Sequence, residues 1–189
     1  MLQALGCIEI NMSAHFCQGK LQIAFVFSVP GAIEAKNGMP VSGETGTNLN
    51  SALDILHREL TDTFSSTSRY DYRITNAYMY PIAKSLGHPD SEASDDMVLE
   101  PTNVERVVKD LAGCYTVVLC GNKAQLLAAK VTQQARKVIC VPHIGNSGLN
   151  TSYRLPDEIA ADTPGGRRAQ RIEKWACEII CKLSSDDAA

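Results

Sequence analysis

Apolar residues along this chain follow two patterns, continuous runs and runs with a helical period. The continuous runs are rich in β-branched and aromatic residues, which is typical of strands buried on both faces of a sheet. Four segments have this pattern, namely residues 21–29, 71–79, 115–121 and 137–142. Each of them is therefore predicted to be a strand.

Between the runs, apolar residues recur every three or four positions, as they do on one face of a helix. The clearest case begins at Asn48, after a candidate cap at Thr47. The predicted helices cover residues 48–60, 104–111, 122–136 and 167–183. Residues 81–100 have no period and several Ser, Asp, Gly and Pro, which predicts a long surface loop.

This alternation of strands and helices indicates a parallel sheet, because parallel neighbours need crossover connections. We predict an α/β fold, a three-layer αβα sandwich with a central four-stranded parallel sheet. The 189 residues suit a single domain, residues 1–189 with its core in 21–183. Ligands bind such sheets beyond the carboxyl ends of the strands, an edge that collects residues 28–31, 75–80, 120–122 and 141–150.

The composition is that of an ordinary globular protein. With 44% hydrophobic and 21% charged residues, it excludes a disordered chain, a collagen-like fibre and a coiled coil. The longest apolar stretch, around residues 23–27, is far shorter than the roughly 20 residues of a membrane span. The start of the sequence lacks a basic segment before an apolar block, so we expect no signal peptide and a cytoplasmic location.

Charge is unevenly distributed along the sequence. The net charge is -3, but residues 1–100 carry 6 basic and 12 acidic side chains, whereas residues 101–189 carry 12 and 9. A polyanionic partner therefore remains compatible with the chain. The candidate phosphate contacts are Lys123, Arg167, Arg168, Arg171 and Lys174. The alternative is that these basic side chains only form a solvated surface.

The segment 29–49 is rich in glycine and lies between a predicted strand and a predicted helix. Glycine lets the backbone approach a ligand closely, and the helix start offers free N–H groups to an anion. No Gly-Lys-Ser/Thr follows, so the segment is not a P-loop. A purely structural loop is the alternative interpretation.

A known motif can be matched to this segment without a gap. Its pattern, GEAPG-x-x-E-D-x-x-G-x-P-F-V-G-x-A-G-x-L-L, is matched at Pro30, Gly31, Glu34, Gly38, Pro40, Gly43, Gly46 and Leu49. The chain thus resembles the uracil-DNA glycosylase superfamily. Three later segments of the chain also resemble segments of the family, namely RITNAYMYP (73–81), VVLCGNKAQ (117–125) and VPHIGNSGLN (141–150). The resemblance therefore spans about residues 21–150.

The resemblance implies a DNA glycosylase, which flips a base out of DNA and hydrolyses its N-glycosidic bond. It assigns Asn76 to the base edge and His143 to the leaving base anion, although a structural histidine is the simpler alternative. The loop that enters the minor groove would be formed by Ser147, Gly148, Leu149 and Asn150. In that loop Leu149 would be the wedge that fills the vacated stack, unless the segment is only a polar turn.

The chain departs from the family at the catalytic acid. The family carries an Asp, Glu or Asn on the GEAPG-like segment to place water, where this chain has Ser28 and Val29. Glu34 is the nearest carboxylate in the sequence, and Glu44 is a second candidate. Three interpretations stay open: the acid has moved, Ser28 orients water, or the site is inactive. Glu34 as a solvated loop charge is equally compatible.

Two further departures concern the base. Gly31 stands where uracil-specific members have a bulky aromatic residue against pyrimidine C5, and Val41 replaces the Phe that stacks on uracil. A roomier pocket predicts a pyrimidine with a bulky C5 group, such as hypermodified, for example glucosylated, cytosine of phage DNA, and hence a role in phage defence. The alternatives are a uracil-DNA glycosylase of base excision repair, a catalytically silent DNA-binding member, and an unrelated nucleotide-binding domain.

The seven cysteines are an odd number, and several lie in apolar runs, which indicates reduced thiols. The related branch of the family holds an iron–sulfur cluster with four cysteines that begin with a C-x-x-C pair. Here Cys7 and Cys17 are ten apart, and Cys177 and Cys181 have a helical spacing. We expect no cluster, no metal and no organic cofactor. DNA is the predicted partner, and no obligate protein partner is evident.

Overall fold

A computed structural model of the chain describes residues 12–157 and 160–185. Its strands are β1 Met12–Ser13, β2 Phe16–Cys17, β3 Ile23–Phe27, β4 Arg73–Asn76, β5 Thr116–Cys120 and β6 Lys137–Val141. They form one sheet in the order β1-β2-β4-β3-β5-β6. β3, β4, β5 and β6 are parallel, whereas β1 and β2 are antiparallel to each other and β2 is antiparallel to β4. The protein is therefore α/β with a mostly parallel sheet.

The predicted four-stranded sheet differs from the observed one at one edge. The four predicted strands correspond to β3, β4, β5 and β6, but residues 12–17 add a hairpin of two short strands. Strands of two residues are too short to show an alternating pattern, so sequence periodicity could not indicate them. Cys7 and the other residues before Met12 lie outside the described residues.

Helices connect and cover the strands. Their bounds are α1 Ala32–Asn37, α2 Glu44–Glu59, α3 Asp95–Leu99, α4 Pro101–Asp110, α5 Asn122–Gln125, α6 Ala128–Val131, α7 Asn146–Ser152 and α8 Pro164–Ser185, with 3₁₀ turns at Arg69–Asp71 and Lys84–Leu86. The predicted helices correspond to α2, α4 and α8, and the segment 122–136 is divided into α5 and α6. The expectation of loops was wrong for α1, α3 and α7.

Two apolar cores lie on opposite faces of the sheet. Alternation along β3 sends Phe25 and Phe27 to the face covered by α2 and α8, and sends Ala24 and Val26 to the other face. The second face is covered mainly by α4, α5 and α6. Because both faces of β3 are buried, its sequence is apolar throughout, as the pattern indicated.

The strand order creates a crevice at one position of the sheet edge. The chain runs from β3 to β4 through α2 on one face, and then from β4 to β5 through α3 and α4 on the other face. β3 and β5 are neighbours in the sheet, but the connection that leaves β3 and the connection that enters β5 lie on opposite faces. In open α/β sheets ligands bind beyond the strand ends at such a point.

Candidate active site

A cleft of about 290 Å³ opens at this crevice. Its walls come from the residues that follow β3, β5 and β6, from α7, and from the loop before α3. The lining residues with hydrogen-bonding side chains include Ser28, Glu92, Asn122, His143, Ser147 and Thr151. Segments distant in sequence therefore converge where the topology predicts a ligand, and we call this hollow the cleft.

His143, two residues after β6, is the one imidazole among the described residues that line the cleft. Its Nδ1 accepts a hydrogen bond from the backbone N–H of Gly145 at 3.0 Å. Nδ1 is therefore unprotonated, and the neutral ring carries its proton on Nε2. Burial lowers the pKa of His143 below its ordinary value of 6.5, and the nearby charge of Glu92 partly opposes this effect. At neutral pH the side chain is an uncharged N–H donor.

Close packing holds the His143 segment in place. The ring of His143 meets the ring of Phe27 edge-on, with 5.8 Å between centroids. Gly148 approaches so closely that a Cβ there would lie 2.1 Å from the carbonyl oxygen of His143. Gly121 has a φ of +93° and would place a Cβ 3.0 Å from that of His143. Side chains at these two glycines would therefore displace the histidine.

Ser28 directly follows β3 at the floor of the cleft, with 6% of its surface exposed. Its Oγ makes no hydrogen bond with any described residue. An unpaired buried hydroxyl costs free energy, unless a ligand or a water molecule completes it. The structure thus brings Ser28 and His143 into one cleft, as the sequence predicted for the sheet edge.

Asn76 ends β4 and pairs in register with Phe27. It is 3% exposed, and its carbonyl accepts a hydrogen bond of 2.9 Å from Arg106. Strand alternation places its side chain on the sheet face of Ile74 and Phe27. Asn76 is not among the residues that line the cleft.

The carboxylate of Glu34 is occupied elsewhere. One oxygen accepts the backbone N–H of Gly31 at 3.1 Å, and the other accepts that of Gly43 at 3.2 Å. Gly31 and Gly43 are the N-caps of α1 and α2, so Glu34 joins the starts of two helices. It does not line the cleft, and this placement argues against the expected catalytic role. Glu44 is likewise engaged, with Asn146 and Arg168.

The two positions expected to shape the base pocket have structural roles. A Cβ on Gly31 would lie 2.9 Å from the Glu34 carboxylate, so a side chain there would displace the carboxylate that joins the two helix starts. Val41 is buried in the core with a φ of 42°, an unusual conformation for a β-branched residue. Neither residue lines the cleft.

The segment 147–150 is helical, and this changes the expected role of Leu149. The segment belongs to α7, which has Gly145 as its N-cap. The helix packs against α8, and Leu149 is 1% exposed in the core. The expectation that Leu149 projects as a wedge was therefore wrong for this arrangement. Ser147 and Gly148 line the cleft, whereas Asn150 faces the other side of α7.

A second hollow, of about 450 Å³, lies on that other side, and we call it the arginine groove. Its charged and amide side chains are Asn146, Asn150, Arg167, Arg168 and Arg171. Each guanidinium is oriented by an acceptor: Arg167 by the carbonyl of Ala161 at 2.9 Å, Arg168 by Asn48 at 2.6 Å and Arg171 by the carbonyl of Tyr153 at 3.2 Å. A guanidinium has five N–H groups, so further donors remain for an anion.

Lys123 was expected to contact phosphate, but its ammonium forms an ion pair with Asp95 at 2.6 Å. The pair connects the start of α5 to the first turn of α3. Lys123 thus holds the loop before α3 against the cleft.

Two residues of this region were missed in the sequence. Glu92 lies in the predicted surface loop among other acidic residues, and nothing local distinguishes it from them. Asn48 is fully buried and donates to the carbonyl of Ile144 at 2.8 Å and to Asn146 at 3.2 Å. An amide one position from the apolar stripe of a helix was a signal that could have indicated it.

No protein-family model matches the sequence, and the search of curated proteins finds no significant match. No helix of the described residues is long and apolar enough to cross a bilayer. The six described cysteines are free thiols. Within residues 12–157 and 160–185, no group of three or more His, Cys, Asp or Glu is arranged to hold a metal ion.

Proposed function

We propose that the protein is a DNA glycosylase, which flips a base into the cleft and hydrolyses its N-glycosidic bond. The observation that carries the proposal is that Ser28 and His143 line the same cleft, at the crevice where the connections of β3 and β5 lie on opposite faces of the sheet. The resemblance of segments 29–49 and 141–150 to glycosylase motifs supports it. The central unit of four parallel strands and its helices on both faces also suit it.

His143 stabilises the leaving base in this mechanism. Breaking the glycosidic bond leaves the bonding pair on the base, whose oxygen becomes negative. A neutral imidazole that donates from Nε2 lowers the energy of this anion without first losing a proton to it. The free hydroxyl of Ser28 orients a water molecule, whereas Asn76, which the resemblance assigns to the base edge, lies outside the lining of the cleft.

The arginine groove supplies the grip on DNA. Residues of α7 line both hollows, so a DNA strand whose target base enters the cleft can run along the arginine groove on the other side of this helix. Arginines that contact phosphates release condensed counterions, and binding then weakens as salt rises. We assign this contact to Arg167, Arg168 and Arg171.

The proposed substrate is a pyrimidine with a bulky, polar C5 group, such as a glucosylated cytosine of phage DNA. Among the described residues no Phe, Tyr or Trp lines the cleft, whose walls instead carry hydroxyl and amide groups. Such a lining suits a sugar better than the flat face of plain uracil. Excision of this base from an invading genome would serve phage defence.

A panel of oligonucleotides tests the proposal. Single- and double-stranded DNA that contains cytosine, uracil, 5-hydroxymethylcytosine or its glucosylated form is incubated with the protein, and abasic sites are detected by alkaline cleavage. We expect product from the C5-modified bases. Product from uracil alone would overturn the substrate assignment. Binding without product would identify a silent DNA-binding member, which the absent motif-one carboxylate favours as second candidate.

A further inference from the structure

Glu92 brings a carboxylate to the cleft from a part of the chain outside every matched motif. It lines the same hollow as Ser28 and His143. The chain that follows it is anchored, although the side chain itself is exposed. The next residue, Ala93, is 2% exposed in the core beneath.

The start of α3 adds two further anchors to this loop. Ser94 caps the helix, and its Oγ accepts the backbone N–H of Met97 at 3.3 Å. Asp95 forms the ion pair with Lys123, the residue that follows Asn122 of the cleft. The backbone that carries Glu92 is therefore attached to the core, to α3 and to α5.

Among the acidic candidates, Glu92 alone lines the cleft. Both oxygens of Glu34 accept backbone N–H groups, and Glu44 is held by Asn146 and Arg168. Glu92 makes no hydrogen bond or ion pair with another described residue, but its charge acts on His143. A carboxylate without a partner is available to accept a proton from water.

We propose that Glu92 is the general base that activates water, and that it supplies the carboxylate absent from the first motif. This assignment rests on the proposed glycosylase function. The water oxygen bonds to C1′ of the sugar as its proton passes to the Glu92 carboxylate. The bond between C1′ and the base nitrogen breaks, and its electron pair leaves with the base. His143 donates to the resulting anion, and the Ser28 hydroxyl holds the water.

The test compares Glu92→Gln with the wild type on the oligonucleotide that the wild type cleaves fastest. Glutamine keeps the size of the side chain but cannot take a proton, so kcat should fall by about 10²–10⁴-fold with unchanged affinity for the DNA. Asp90→Asn is the matched control, since Asp90 lies on the same exposed loop and does not line the cleft. Its kcat should equal that of the wild type.

Chemical rescue separates a base from a structural carboxylate. In Glu92→Ala, added formate should enter the vacated space and restore part of kcat, whereas it should not accelerate the wild type. Activity of Glu92→Gln within about threefold of the wild type overturns the assignment. So does a loss that falls on affinity alone or is not restored by formate. Each of these three results leaves the glycosylase proposal standing, whereas a wild type inactive on the whole panel overturns both proposals.

Discussion

The two hollows on either side of α7 differ in the chemistry of their walls. The cleft carries an imidazole, a carboxylate and several hydroxyls, whereas the arginine groove carries three guanidinium groups and two amides. Guanidinium groups stay charged at every physiological pH, but imidazole and carboxylate groups exchange protons. One short helix thus separates groups suited to proton transfer from groups suited to holding an anion.

A buried amide connects the two sides. Asn48 accepts from Arg168 of the groove at 2.6 Å and donates at 2.8 Å to the carbonyl of Ile144, which follows His143. These hydrogen bonds explain why α2 has a polar residue, Asn48, at a buried position. The two hollows therefore differ in the chemistry of their side chains, but the same hydrogen-bonded residue, Asn48, supports both.

The largest effect is expected from His143→Ala, which removes the N–H donor from the cleft. Loss of this group should lower kcat by about 10²–10⁴-fold while DNA affinity stays unchanged. Single-turnover base release and a binding isotherm measure the two quantities separately. His88→Ala is the control, because His88 is exposed on the loop and does not line the cleft. An equal loss of rate and affinity would break the division of roles.

A smaller effect is expected from replacing Arg167 and Arg171 by Gln, which removes two charges from the groove. DNA affinity should fall roughly tenfold at physiological salt, and the slope of log affinity against log salt should become shallower by about two. Titrations at several salt concentrations measure this, with kcat as the unaffected quantity. Lys109→Gln with Lys130→Gln removes the same charge from exposed positions on α4 and α6. If both pairs of substitutions weaken DNA binding equally, the arginine groove contributes only its overall charge and no specific phosphate contacts.

The last effect, on stability and not on catalysis or binding, is expected from Gly148→Ala, which adds a methyl group to α7 between the hollows. The new Cβ would lie 2.1 Å from the carbonyl oxygen of His143, so the backbone must shift at a cost of about 1–3 kcal/mol in unfolding free energy. Urea denaturation measures this change. Gly165→Ala is the control, since its Cβ would meet nothing within 4 Å. Unchanged stability of Gly148→Ala would show that α7 is not held against His143.

Much of the fold could be predicted because burial on both faces leaves a strong pattern. The runs that became β3 and β5 are apolar at every position that the sheet buries. The periods of α2 and α8 are equally direct, since Leu49, Leu53 and Trp175 face one core. The positions of Ser28 and His143 then follow from the rule that parallel strands share a carboxyl edge.

The rest depends on contacts that no local pattern contains. The sequence of α7, NSGLNTS, has low helix propensity, and the helix forms where Gly145 caps it and Leu149 packs into the core. A single leucine among polar residues does not indicate whether it points inward or outward. The same holds for the acids, because only the folded chain shows that Glu34 meets two backbone amides and that Glu92 meets the cleft.

The short hairpin of β1 and β2 has a consequence for aggregation. A parallel sheet offers unpaired backbone groups at its outer strands, and these can recruit strands from other molecules. β2 occupies that edge of β4, and β1, the outermost strand beside it, has only two residues, too few to serve as a template in turn. At the opposite edge, Lys182 donates to the carbonyl of Cys140 in β6 at 2.6 Å. A chain shortened to begin after Cys17 would uncover β4 and lose solubility before it lost its active site.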